Sequence, residues 1–247
     1  MRLTIVGCSG SYPGPDSPAS CYLVEHDRHR IVLDLGNGAF GALQRYTDVL
    51  DVDAVVLSHL HADHCLDLTS YYVWRKYRPE GPAHMIPVLG PSGSADRMAR
   101  AYDLPPEQGM KGEFEFRDHV RITEIGPFRL TTALVNHPVE AYATRIEAGG
   151  RSMVFSGDTG ESDALVELSR GVDLALFEAS LLERYAVPPG LHLTAKQAAE
   201  HAIRAEAGRL VLTHLVPWTS REETEIEAAA AYDGDLTLAT QGMVIDV

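Results

Sequence analysis

The sequence predicts one α/β domain over residues 1–247, made of sheet layers covered by helices. Two observations predict it. Short strand-like runs fill the first half, and strands alternate with helical segments in the second. A third is that no low-complexity linker or fixed-period repeat interrupts the 247 residues, a length within reach of one large domain.

Residues 3–7, 21–25 and 30–35 are rich in Val, Ile and Leu and read as strands. The connection 7–20 carries Gly10, Pro13, Gly14, Pro15 and Pro18 and reads as a loop. Residues 38–46 read as a helix leading to a strand at 54–57, and 66–77 as a helix bearing Leu68, Tyr71, Tyr72 and Trp74. Strands recur at 85–89, 114–116, 128–135, 142–147 and 152–155. Then come a helix at 163–169, a strand at 174–177 and a helix at 194–206 with Thr194 as N-cap. A strand at 210–213, a helix at 221–231 and strands at 236–239 and 243–245 complete the order.

Hydrophobic residues make up 45% and charged residues 23%, the balance of a soluble globular protein. The apolar runs are strand-length, so no membrane span is expected. Met1 to Cys8 lacks the apolar stretch of a lipoprotein signal, and cytoplasmic residence is the expectation. Cys8, Cys21 and Cys65 are expected as free thiols. The net charge is −14, with 35 acidic against 21 basic residues and no Lys/Arg-rich run. A protein that holds a long polyanion usually presents a basic face. The expected partner is therefore a small anionic phosphodiester, not a large nucleic acid or a membrane. Two divalent cations would make the site locally positive within an acidic surface.

The densest chemistry is His59-Leu60-His61-Ala62-Asp63-His64, which places four metal-binding side chains in six positions after the apolar run 54–57. On extended backbone His59 and His61 point the same way and can grip one ion. Where the chain turns into a helix, Asp63 and His64 can reach a second. Three further ligand types each follow an apolar strand: His137, Asp158 and His214. Open α/β sheets place their sites at such strand ends.

Through His59-x-His61-x-Asp63-His64, His137, Asp158 and His214 the chain resembles the metallo-β-lactamase superfamily over nearly its whole length. The resemblance implies a four-layer αββα sandwich. It also implies that His59, His61 and His137 hold one divalent ion, that Asp63, His64 and His214 hold the other, and that Asp158 bridges them. Zinc is the expected metal, with manganese as the alternative. Phe177-Glu178-Ala179-Ser180 and His192-Leu193-Thr194-Ala195 are similar to motifs of the tRNase Z-like phosphodiesterases, as are Gly7-Cys8-Ser9-Gly10-Ser11 and Asp34-Leu35-Gly36-Asn37-Gly38.

Long-form tRNase Z proteins carry a tRNA-gripping arm that this resemblance would place between His137 and Asp158. Here those residues stand 21 positions apart, which two strands and the Gly149-Gly150 turn fill. A closer likeness is to actinobacterial atypical class II cyclic-nucleotide phosphodiesterases, through residues 14–20, 57–67 and 217–222.

The implied reaction is hydrolysis of a 3′,5′-cyclic nucleotide such as cyclic AMP. A water activated between two ions attacks phosphorus in line with the leaving ribose oxygen. His192 is the proton donor, a contribution of about 10²–10⁴-fold. Glu178 would fix its ring, and Asp63 completes the catalytic set. Asp34 is expected to accept from a ligand histidine and Thr159 to orient Asp158. Trp218 can stack on a purine, pack in the core or meet a second subunit. Tyr71, Tyr72 and Trp74 read as packing, including a homodimer face of the kind related enzymes have. His26, His29, His84, His119 and His201 lack ligand context and are expected at the surface.

The competing readings are a tRNA 3′-end endonuclease, a lactonase or thiolester hydrolase, and a di-iron oxidoreductase. Flavodiiron members of the fold carry Glu where His61 stands, and dinuclear lactamases carry Cys where Asp158 stands.

Overall fold

Along the central strands successive side chains enter different cores, as on a sheet covered on both faces. In the computed structural model, which describes residues 1–185 and 188–247, Ile31 and Leu33 face one core and Val32 another. Met153 and Phe155 face the first of these, while Val154 faces a third.

The strands are β1 (Arg2–Gly7), β2 (Cys21–His26), β3 (His29–Leu33), β4 (Ala54–Val56), β5 (Ile86–Gly90), β6 (Phe114–Asp118) and β7 (Ile122–Ile125). They continue with β8 (Phe128–Leu134), β9 (Tyr142–Ala148), β10 (Arg151–Phe155), β11 (Leu174–Glu178), β12 (Arg209–Thr213), β13 (Asp235–Leu238) and β14 (Val244–Asp246). One seven-stranded sheet runs β14-β1-β2-β3-β4-β5-β6 and the other β13-β12-β11-β10-β9-β8-β7.

Between the sheets lie Leu3, Ile5, Phe128, Leu130, Ile146 and Leu176. The outer face of the first sheet packs against α1 (Ala39–Leu43), α3 (Leu68–Tyr77) and α4 (Ser94–Ala101), with Leu43, Leu68, Tyr72 and Met98 in that core. The second sheet is covered by α5 (Asp163–Leu168), α6 (Ala195–Arg204) and α7 (Arg221–Ala231), through Leu165, Ala198, Ala202 and Ala228. Three cores between four layers make the αββα sandwich.

Several sequence expectations need correction. The helix expected over 66–77 is preceded by a separate turn of helix, α2 (Ala62–Cys65). Strand β7 and helix α4 were not expected: β7 buries only its last residue, and α4 is polar along most of its length. Tyr71 and Tyr72 are 0% and 1% exposed inside this chain, so they offer no dimer face. Among the histidines expected at the surface His84 is exposed, whereas His26, His29 and His119 are partly covered. His201 is buried; its Nδ1 donates to the Gln197 carbonyl and its Nε2 accepts from the Ser162 amide. Thr194 caps α6 in a reciprocal box with Gln197. Among the described residues no helix is long and apolar enough to cross a membrane.

Candidate active site

Parallel pairing aligns the carboxyl ends of β10, β11 and β12 in the second sheet, β4 pairs in parallel with β3 and β5 in the first, and the candidate residues follow these strand ends. After β4 the chain bends at Ser58 and reaches His61, which precedes α2 with the extended dihedrals φ −68° and ψ 154°. Asp63 and His64 lie in the helical turn. His137 follows β8, Asp158 follows β10 and His214 follows β12. The Ser58 carbonyl accepts from the Tyr142 amide at 3.0 Å, which joins the two sheets beneath the site.

Among the described residues the donor atoms form three groups, of which two share Asp158 and the third comprises Glu178, His192 and His214. Of the two, one comprises His59, His61, His137 and Asp158, the other Asp63, His64, His214 and Asp158, with all donors of a group within 4.8 Å of one another. In the first, His59 Nε2 lies 3.0 Å from His61 Nδ1, which lies 3.3 Å from His137 Nε2. In the second, His64 Nε2 and His214 Nε2 are 3.1 Å apart, and Asp63 Oδ2 is 3.1 Å from His214 Nε2. Asp158 presents Oδ2 to His59 at 3.6 Å and Oδ1 to His64 at 3.2 Å.

The opposite ring nitrogens are occupied. His64 Nδ1 donates to Asp34 Oδ2 at 2.7 Å. His59 Nδ1 donates to the Ser58 hydroxyl, which itself donates to Asp34. His137 Nδ1 donates to the Leu191 carbonyl, and His214 Nδ1 donates to the Ser180 hydroxyl at 2.8 Å. Each of these four rings thus turns its Nε2 inward, the outer support usual around bound metals.

This arrangement fits bound metal. Asp158 Oδ1 is buried without a hydrogen-bond partner, although two imidazole nitrogens are near: the neighbours surround a common centre instead of addressing one another. Burial lowers the proton affinity of His64, yet the Asp158 and Asp34 carboxylates outweigh burial and raise its pKa well above the ordinary value. Burial likewise raises the Asp63 carboxyl, and hydrogen bonds from His214 and His64 overcome it and hold the group well below its usual range. The pocket favours positive charge at its centre, and a nitrogen-rich set with shared carboxylate suits divalent first-row ions.

His192 stands outside the two groups that share Asp158, with Nδ1 3.9 Å from Asp158 Oδ2. Its Nδ1 donates to Glu178 Oε1 at 2.8 Å, leaving Nε2 free. Burial works against its charge, but Glu178, and behind it Asp158, push its pKa up to about 9. Glu178 is fully buried and also accepts from the Thr159 amide and from the Ser180 amide and hydroxyl. Beside His192 opens a polar cavity of about 470 Å³, with Glu161 and Glu183 in its wall.

Asp34 supports His64 as expected. Thr159 does not orient Asp158: its hydroxyl donates to the Gly160 carbonyl and its amide to Glu178. Sequence reasoning missed Ser58 and Ser180, the hydroxyls behind His59 and His214. Ser180 was detectable, because two residues beyond Glu178 on extended backbone it faces the same side. It also missed Gly10, where a Cβ would come within 2.4 Å of the His214 carbonyl and 2.7 Å of its ring.

A family profile described as a β-lactamase superfamily domain matches residues 29–215. An uncharacterized protein of Mycobacterium leprae is 43% identical over 100% of this chain and 89% of its own length. The probable metallo-hydrolase YhfI of Bacillus subtilis is 28% identical across 99% of both chains. Its crystal structure superposes with a TM-score of 0.88 at 26% identity, covering 99% of each. A ribonuclease Z of Haloarcula marismortui is 25% identical over 98% of this chain and 96% of its own.

Proposed function

We propose, from the premise that this chain belongs to the metallo-β-lactamase superfamily, that it is a dinuclear-metal phosphodiesterase for small nucleotide phosphodiesters. A 3′,5′-cyclic nucleotide such as cyclic AMP is the substrate we put first. Membership in the superfamily and its hydrolase relatives support a metal-dependent hydrolase. One observation carries the finer reading: His192, outside the two donor groups that share Asp158, is held by the buried Glu178 carboxylate with its ring 3.9 Å from Asp158.

In this reading His59, His61 and His137 hold one ion, Asp63, His64 and His214 the other, and Asp158 both. Zinc comes first, with manganese the alternative. The metal pair supplies Lewis acidity, lowering the pKa of water toward neutrality and neutralising charge on the phosphoryl oxygens. His192 keeps its proton on Nε2 at neutral pH, because Nδ1 is committed to Glu178. The oxygen of a water that has released one proton to solvent would bond to phosphorus as the P–O3′ bond breaks, and the His192 proton would go to O3′, which leaves as a neutral hydroxyl. Glu178 does not move a proton; it fixes the ring and offsets the imidazolium charge. Asp63 stays an ionised acceptor throughout the physiological range.

The ribonuclease Z likeness favours a second reading, cleavage of precursor tRNA at its 3′ end. The net charge of −14 and the direct β9–β10 connection favour the small substrate. Cyclic AMP, cyclic GMP, bis(p-nitrophenyl) phosphate and a precursor tRNA, assayed side by side with metal analysis, decide between them. Turnover of the cyclic nucleotides without tRNA cleavage is expected. Cleavage of the tRNA alone would establish the second reading.

A further inference from the structure

A metal pair and an acid grip the phosphate; the rest of a nucleotide needs a surface of its own. Two aromatic side chains stand in solvent on loops that meet at His214. Tyr12 is 38% and Trp218 64% exposed, with ring centroids 5.2 Å apart and planes tilted by 43°. Trp218 follows His214 by four positions. Tyr12 lies in the loop after β1, whose Gly10 abuts the His214 backbone and ring. The Gly10 amide donates to the Leu215 carbonyl at 3.1 Å, and the Leu215 amide to the Cys8 carbonyl at 2.9 Å. The Ser11 amide approaches His214 Nε2 at 3.4 Å. The two loops therefore form one hydrogen-bonded unit, and the aromatic pair keeps a fixed position relative to the second donor group.

The cavity beside His192 sets Tyr185, Pro188 and Pro189 among the carboxylates of Glu161 and Glu183, which repel the phosphate of a nucleotide. A base carries little charge and a broad π-face, and stacking on aromatic rings binds it without a cationic side chain. A largely exposed indole paired with a phenol offers such a face.

We infer that Tyr12 and Trp218 form a stacking platform for the nucleobase of the substrate. The inference rests on the phosphodiesterase reading and deepens it. Purine nucleotides, with the larger ring system, gain most.

The test compares cyclic AMP with methyl ribofuranoside 3′,5′-cyclic phosphate, which has no base. Trp218→Ala and Tyr12→Ala should raise KM for cyclic AMP by about 10- to 100-fold. The preference for cyclic AMP over the baseless substrate should fall by the same factor, and Trp218→Phe should restore most of it. An equal loss on both substrates, or an unchanged KM, overturns the platform. Overturned equally is a Trp218→Ala protein that loses a dimer in sedimentation while keeping its KM, since the pair would then be a subunit contact. A binding readout is independent of turnover. The chain has two tryptophans, so Trp74→Phe leaves Trp218 as sole reporter. AMP should quench its fluorescence saturably and ribose 5-phosphate should not; absence of quenching refutes the platform. If the native protein hydrolyses neither cyclic substrate, the phosphodiesterase reading fails, and the quenching alone then decides the platform.

Discussion

Glu178 and His192 meet at 2.8 Å through Oε1 and Nδ1, and the other carboxylate oxygen is bound by Ser180, whose hydroxyl accepts from His214. One buried carboxylate thus sets the orientation of the His192 ring directly and of the His214 ring through Ser180. Neither ring can turn without disturbing the other's support.

His192→Ala should lower kcat by about 10²–10⁴-fold while metal content stays at the native level. Turnover and metal analysis of the same preparation check this. Lost metal would make His192 a ligand, and undiminished turnover would remove it from the reaction. Glu178→Gln should lower kcat less and move the basic limb of the pH–rate profile down, because the ring loses its charged acceptor.

Asp158→Ala should empty at least one metal position, since its two oxygens face the two donor groups separately. The measured metal-to-protein ratio is the check; a ratio equal to the native one would rule out the shared role.

Asp34→Ala leaves His64 Nδ1 and the Ser58 amide without their acceptor. Metal affinity should weaken by about 10- to 100-fold, and the fold should lose about 1–3 kcal/mol for the stranded buried donors. Competition with a chromogenic chelator and urea unfolding measure the two effects.

Gly10→Ala should displace His214, because the added carbon would sit 2.4 Å from its carbonyl oxygen. The expected cost is about 1–3 kcal/mol of stability, together with weaker metal retention on dialysis.

His201 gives a pH dependence away from the metal-facing residues. Burial, the first cause, lowers its pKa below 6.5, and the Gln197 carbonyl only partly offsets it. The neutral ring is the folded form, so its contribution is complete above about pH 6.5 and is lost as pH falls toward the folded value. Urea midpoints should therefore drop between pH 7 and pH 5 more steeply for the native protein than for His201→Gln. Parallel slopes would show that the ring stays neutral, or is charged, in both states.

The sequence made the local part of the site readable. His59, His61, Asp63 and His64 lie in six positions, and the extended-to-helix change that divides them follows from β4 and α2. His137, Asp158 and His214 were readable because each ends a strand of apolar residues. The support around them was less so. Asp34 and His214 adopt left-handed backbone at φ 56° and 53°, conformations unfavourable for non-glycine residues that only the assembled surroundings impose. The bond from His137 to the Leu191 carbonyl spans 54 positions and involves a backbone group with no sequence signature. Trp218 had three open placements, and only the packing of two distant loops put it in solvent beside Tyr12.

The shared Asp158 has a mechanical side. His59 and His64 leave the end of the first sheet, and Asp158 and His214 leave the second. An ion seated in the first group would act as a cross-link between the halves of the sandwich, closing a loop of nearly eighty residues from His59 to His137. Folding and metal loading are then one equilibrium. Chelation would loosen the seam between the sheets at the edge where Ser58 and Tyr142 tie them.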